Sequence, residues 1–323
     1  MATYKEIKGV GFQNFSSDPA NPLNGQVWYN TGSSTLKVAE VIAASSWASG
    51  GNLDTSRSKT GGAGTQTASL AFAGVNSAGN STSDTEAYNG TAWTNVNSMS
   101  TGRQYLAGTG TQTAALAIAG LPGSSVATEE YDGSSWTNGG NLSTARYNLA
   151  AAGTLTAGLA FGGYSVPPSG GRLAVTEEYN GTAWTNGGNL SVGKSGLAGA
   201  GTQTAGLAFG GYSTGTLTAT EEYGGTSWTS GGNMNTAGAD IGGAGTQTAA
   251  IRMGGQFQAN SELYNGSSWT ATANINTARY NAASAGTQAA ALIAGGSPNS
   301  SATTTATEEF TAGGTTITTV TTS

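Results

Sequence analysis

The chain has 323 residues, a formal net charge of −6, 53 glycines and only 9% charged residues, and it contains neither cysteine nor histidine. Those two absences exclude disulfides, thiolate nucleophiles, Cys/His zinc sites and every imidazole acid–base mechanism, and so few cations argue against phosphate-tracking nucleic-acid binding. No apolar run approaches the roughly 20 residues that span a bilayer, so membrane insertion is not expected.

Residues 1–44 follow no repeat and carry Lys5, Lys8 and Lys37. They begin MATYKEIKGVGFQ, which lacks the apolar stretch of a secretory signal. Between Gly25 and Val41 the pattern predicts a hairpin: Gln26–Asn30 alternates, Thr31–Ser34 turns and Thr35–Val41 returns. The stretch SSDPANPLNGQVWYNTGSSTLKV is similar to short N-terminal modules of bacteriophage structural and tail-fibre proteins, especially those of marine phages. The core Gln26–Thr31 and the return strand carry that similarity. It implies a virion-docking arm with Trp28 and Tyr29 as docking aromatics, binding other virion proteins after assembly in a host cytoplasm. The residues alone also admit a hairpin that packs on the rest of the chain and buries Trp28.

From Trp47 onward the chain repeats. Trp47, Trp93, Trp136, Trp184, Trp228 and Trp269 are spaced by 46, 43, 48, 44 and 41 residues. A Gly-Thr-Gln-Thr or Gly-Thr-Leu-Thr turn, with Ala289 in the last place of the final one, starts at Gly64, Gly110, Gly153, Gly201, Gly245 and Gly286 with the same spacings. Length variation therefore falls elsewhere in a unit of about 44 residues. In the unit Thr176–Ser213, Leu197–Ala200 reads as a strand ending in the Thr turn. Ala205–Phe209 reads as a buried strand closed by Gly210-Gly211. After a variable loop an alternating strand ends at Glu221-Glu222-Tyr223, and Gly224-Gly225 turns into a last strand carrying Trp228. Four short antiparallel strands at this period select a β-propeller over a solenoid.

The Gly-Gly doublets (Gly162-Gly163, Gly210-Gly211, Gly254-Gly255, Gly295-Gly296), the Tyr–turn–Trp element and a basic residue ten positions after each tryptophan resemble the Kelch repeat. Departures occur at Ala73-Gly74, Ala119-Gly120, Gly238 and Phe310. The expected fold is thus all-β: a six-bladed Kelch-like propeller of four-stranded antiparallel blades over 45–323, plus the hairpin arm over 1–44. The strand at Trp47 is expected to complete the last blade with strands near 280–286, 290–296 and 304–310. The tail Thr315–Ser323 is the alternative closing strand.

Each unit carries a glutamate two positions before its aromatic: Glu86, Glu129, Glu177, Glu221, Glu262 and Glu308. Positions two apart share a strand face, so these carboxylates need buried partners. Arg57, Arg103, Arg146, Lys194 and Arg279 are the expected ones, with Arg252 standing in where Gly238 lacks a charge. The second glutamates (Glu130, Glu178, Glu222, Glu309) face the other way and are expected to be solvated or between blades.

Length variation concentrates after strand two, on the face shared with the strand-four loops, where binding specificity is commonly placed. Tyr164, Arg172, Tyr212 and Phe257 are the expected contact residues. No catalytic residue, cofactor or metal is expected. The function these features imply is that of a non-enzymatic tail-fibre or surface adhesin, present in many copies on the virion, that binds host-surface glycan or protein. A capsid or tail decoration protein is the alternative. A polysaccharide-degrading enzyme using a glutamate pair is a third reading, weakened because the glutamate recurs in every unit.

Overall fold

The computed structural model describes residues 13–19, 26–123, 125–165, 170–300 and 302–320, and every regular element among them is a β-strand. The chain forms two compact units, one of residues 1–46 with 312–323 and one of residues 47–311. This differs from the expected boundary at 45–323. The β-branched tail strand Gly314–Thr319 pairs antiparallel with Thr35–Ala43, extending an open hairpin edge.

In the smaller unit Val27–Asn30 and Thr35–Ala43 form the hairpin, in register from Asn30↔Thr35 to Val27↔Val38. Gln13–Phe15 adds in parallel to Val27–Asn30. Lys5, Lys8 and Gly25 lie outside the described residues.

The larger unit holds six four-stranded sheets among the described residues. In the fourth, Ala198–Gly201, Gly206–Phe209, Thr220–Tyr223 and Trp228–Ser230 pair antiparallel in chain order. The sixth contains Ala283–Gly286, Ala290–Ala294 and Thr307–Thr311, and Ser46–Ser49 completes it from the other end of the repeat. Strand two of each sheet is the apolar run, and Leu207, Ala208 and Phe209 are fully buried in the fourth. First strands neighbour one another in order, from Gly61–Thr65 and Ala107–Thr111 to Ala283–Gly286, which packs back on Gly61–Thr65.

Three kinds of hydrogen-bond staple join neighbouring sheets. The tryptophan Nε1 donates to a threonine on the preceding sheet, as from Trp136 to Thr85 at 3.1 Å and from Trp93 to Thr307 of the sixth sheet at 2.9 Å. Where Ser261 replaces that threonine, Trp47 donates instead to the Ala273 carbonyl at 2.9 Å. The glutamine of the Gly-Thr-Gln-Thr turn reaches two carbonyls, Gln112 donating to Ser69 at 3.0 Å and to Tyr88 at 2.6 Å. Leu155 stands in its place in the third sheet and makes no such bond.

The second glutamates supply the last staple. Glu309, Glu130, Glu178 and Glu222 accept from the hydroxyls of Tyr88, Tyr179, Tyr223 and Tyr264 on the following sheet. They lie between sheets, which resolves the two alternatives left by the sequence. A glycine three positions after the tryptophan makes room for each pair: a Cβ on Gly187 would lie 2.6 Å from the Tyr223 hydroxyl and 3.0 Å from Glu178. The first and fifth sheets carry Ala87 with Val96 and Leu263 with Thr272 at those two positions, and both lack the carboxylate.

Candidate functional site

The six repeated glutamates are fixed by their surroundings. Glu129 pairs with Arg103 at 2.9 Å, Glu177 with Arg146 at 3.1 Å and Glu221 with Lys194 at 2.6 Å. Glu86 pairs with Arg57 and Glu308 with Arg279, all four side chains nearly or fully buried. In each of the six sheets a backbone N–H supplies a further donor, as from Ser143 to Glu177 at 2.7 Å. The arginine also holds carbonyls of its own sheet, Arg103 donating to Ala119 and Ala127 at 2.8 Å. This locks the linker between strand four and the next strand one.

The fifth sheet solves the missing cation differently. Arg252 comes within 3.7 Å of Glu262 from strand two and bonds Gln258, while Glu262 accepts from Asn235 and Thr236 backbone N–H groups at 2.7 and 3.0 Å. Among the described residues no three acidic side chains converge as metal ligands do.

Two residues after each basic position the linker turns through the left-handed region. Lys59, Tyr105, Asn148, Gly196, Asp240 and Asn281 all have φ between 53 and 63°. Their backbones form a closed circle of hydrogen bonds: Tyr105 N–H to Lys59 C=O at 2.9 Å, Asn148 to Tyr105 at 2.8 Å, Gly196 to Asn148 at 2.9 Å, Asp240 to Gly196 at 2.7 Å, Asn281 to Asp240 at 3.1 Å and Lys59 to Asn281 at 2.6 Å. Inside the circle lies a cavity of about 120 Å³. Beside it a cleft of about 340 Å³ also borders Lys59 and Tyr105, with Tyr280 and Asn76 on its walls.

The six ring positions share a backbone but differ in side chain. Asp240 accepts from Asn148 Nδ2 at 3.0 Å and from Gln256 Nε2 at 2.9 Å. Burial pushes the Tyr105 phenol up to about 12, helped by the charge of Asp240. Burial also lowers the Lys59 ammonium, and Asp240 opposes that shift.

The same linkers pair with the loops after strand two, through bridges such as Tyr147↔Tyr164 and Ser195↔Tyr212. Aromatic rings consequently form a belt. Tyr105 contacts Tyr147 at 5.9 Å between centroids, and Tyr147 contacts Tyr164 at 5.6 Å. The exposed Arg172 guanidinium lies 5.6 Å from the Tyr164 ring and 4.4 Å from that of Tyr212. At the other end Lys59 Nζ sits 4.7 Å from the Tyr105 ring. Phe257, 64% exposed, meets Tyr280 edge-on at 5.5 Å, and Tyr280 in turn lines the cleft that Tyr105 borders.

The expected contact residues Tyr164, Arg172 and Tyr212 are therefore brought together, with Phe257 at a separate edge. Sequence reasoning missed Lys59, Tyr105, Tyr147, Asp240 and Tyr280. Their signal lay in the alignment of repeats, because they fall 11 or 12 positions after a tryptophan in a segment of constant length but changing residue type. In the smaller unit Trp28 is fully buried and donates to Asp18 at 3.1 Å, whereas Tyr29 is 38% exposed. Of the two expected docking aromatics, Tyr29 is thus the one with exposed surface. A scan against protein-family models and a search of curated proteins each find no match to this chain.

Proposed function

We propose that residues 47–311 are a six-bladed, Kelch-like β-propeller and that the chain is a non-enzymatic adhesin of a phage virion, recognising host-surface glycan. The return of the last first-strand to Gly61–Thr65 and the closed hydrogen-bond circle support the six-bladed reading. The observation that carries recognition is the belt Tyr105–Tyr147–Tyr164–Arg172–Tyr212, half-buried rings with one accessible cation on the face where the loops vary. Rings held by neighbours present flat apolar area at little cost in side-chain entropy, and their hydroxyls keep a polar edge, which suits the C–H faces and hydroxyls of sugars. Virion placement rests on the resemblance of residues 16–38, with Tyr29 as the docking contact. Multiple copies per particle would sum weak sites into firm attachment.

The test offers the full-length chain to candidate host cells and, separately, to purified virions. The account expects saturable cell binding that is lost in Tyr164→Ala/Arg172→Ala/Tyr212→Ala with melting unchanged. Virion binding without cell binding would make the chain a decoration protein and overturn the adhesin reading.

A further inference from the structure

Eight Lys and Arg side chains fall within residues 47–311. Six are buried in ion pairs with glutamates. The other two, Lys59 and Arg172, make no ion pair among the described residues, and both sit on the aromatic belt, one over Tyr105 and the other over Tyr164 and Tyr212. All positive charge that this unit offers a ligand, among the described residues, is thus placed at two points of one aromatic surface.

We infer that the belt takes a carboxylate-bearing saccharide, of the uronic or sialic kind, with its acidic groups at Lys59 and Arg172 and its C–H faces on the tyrosines between them. The inference rests on the recognition reading above and deepens it. A neutral sugar would leave the two cations without a role. A guanidinium lying over aromatic rings keeps its edge donors free, and those donors match a carboxylate in a bidentate fork. Lys59 is half-buried beside a cleft, where an ionic contact is screened less than at an open surface. Asp240 is the one acid of the ring, and each of its oxygens already accepts from an amide, Asn148 or Gln256. Densely charged polymers fit poorly, since two free cations on a chain of net charge −6 cannot offset the long-range repulsion. A sparsely acidic glycan matches the small number of free charges.

The experiment applies the full-length chain to an array of carboxylate-bearing, sulfated and neutral saccharides, then titrates a bound glycan and its methyl ester by calorimetry. Carboxylate-bearing saccharides are expected to bind, and esterification should weaken them by about tenfold or more, the loss of a hydrogen bond to a charged group. Lys59→Met and Arg172→Gln should each lower affinity by about tenfold, while Lys37→Met in the other unit leaves it unchanged. Binding confined to neutral or sulfated saccharides, or indifferent to esterification, overturns the acidic assignment and leaves glycan recognition standing. Binding to no saccharide on the array overturns both.

Discussion

At the scale of single residues, the scaffold depends on charges that water never reaches. Arg146 and Glu177 are both fully buried. Arg146→Met therefore leaves a carboxylate with the Ser143 N–H but no cation, and should cost about 3–5 kcal/mol in urea unfolding. A loss below about 1 kcal/mol, the range of an exposed pair, would show that the pairs are not structural. The interleaved tyrosines make the fold sensitive to base. Burial first, then the hydrogen bond to a glutamate, pushes Tyr223 and Tyr264 up to about 12, against about 10 in an unfolded chain. The protonated phenol is the form the fold favours. Its contribution is complete below the unfolded value and is lost as pH climbs from about 10 to about 12. Melting temperature should fall steeply across that window, and Tyr264→Phe should flatten the fall; an unchanged slope in the variant would contradict the assignment. The naturally occurring Phe310 shows that the ring alone is accommodated there.

At the scale of elements, each sheet joins its neighbour through positions that vary together. A glutamate at the second acidic position occurs with a glycine three residues after the tryptophan, and units without the glutamate carry Val96 or Thr272. Gly187→Val should force apart Tyr223 and Glu178 and cost about 1–3 kcal/mol. Adding Glu178→Ala, which recreates the Ala87–Val96 combination, should recover at least about 0.5 kcal/mol of coupling in a double-mutant cycle. Additive losses would separate the two positions. Strands and turns were legible in the sequence because period, apolar runs and Gly-Thr turns act locally. The staples were not, because each links residues about one repeat apart in sequence, as Gln203 does to Gly158, 45 positions earlier. The turn reading of Gly-Thr-Gln-Thr accounts for Thr202, whose hydroxyl accepts from Ala205 N–H at 3.1 Å, and overlooks the reach of Gln203.

At the scale of the larger unit, the repeats differ most where their constant backbone circle meets the variable loops. Tyr164, Arg172 and Tyr212 were legible because their loops change in length. Lys59, Tyr105 and Tyr147 were hidden in linkers of fixed length, and only the left-handed turn that every unit shares brings them to the belt. One face thus carries nearly all the individuality of a repetitive scaffold. The opposite turns, such as Asn89-Gly90, Asp132-Gly133 and Asn180-Gly181, are near copies of one another. The most direct measurement is hydroxyl-radical footprinting of the full-length chain, free and bound to host cells, with modification read at every residue along the chain. The account predicts protection at Tyr105, Tyr147, Tyr164 and Tyr212 with no change along the opposite turns. Protection confined to those turns, or to Tyr29, would contradict it.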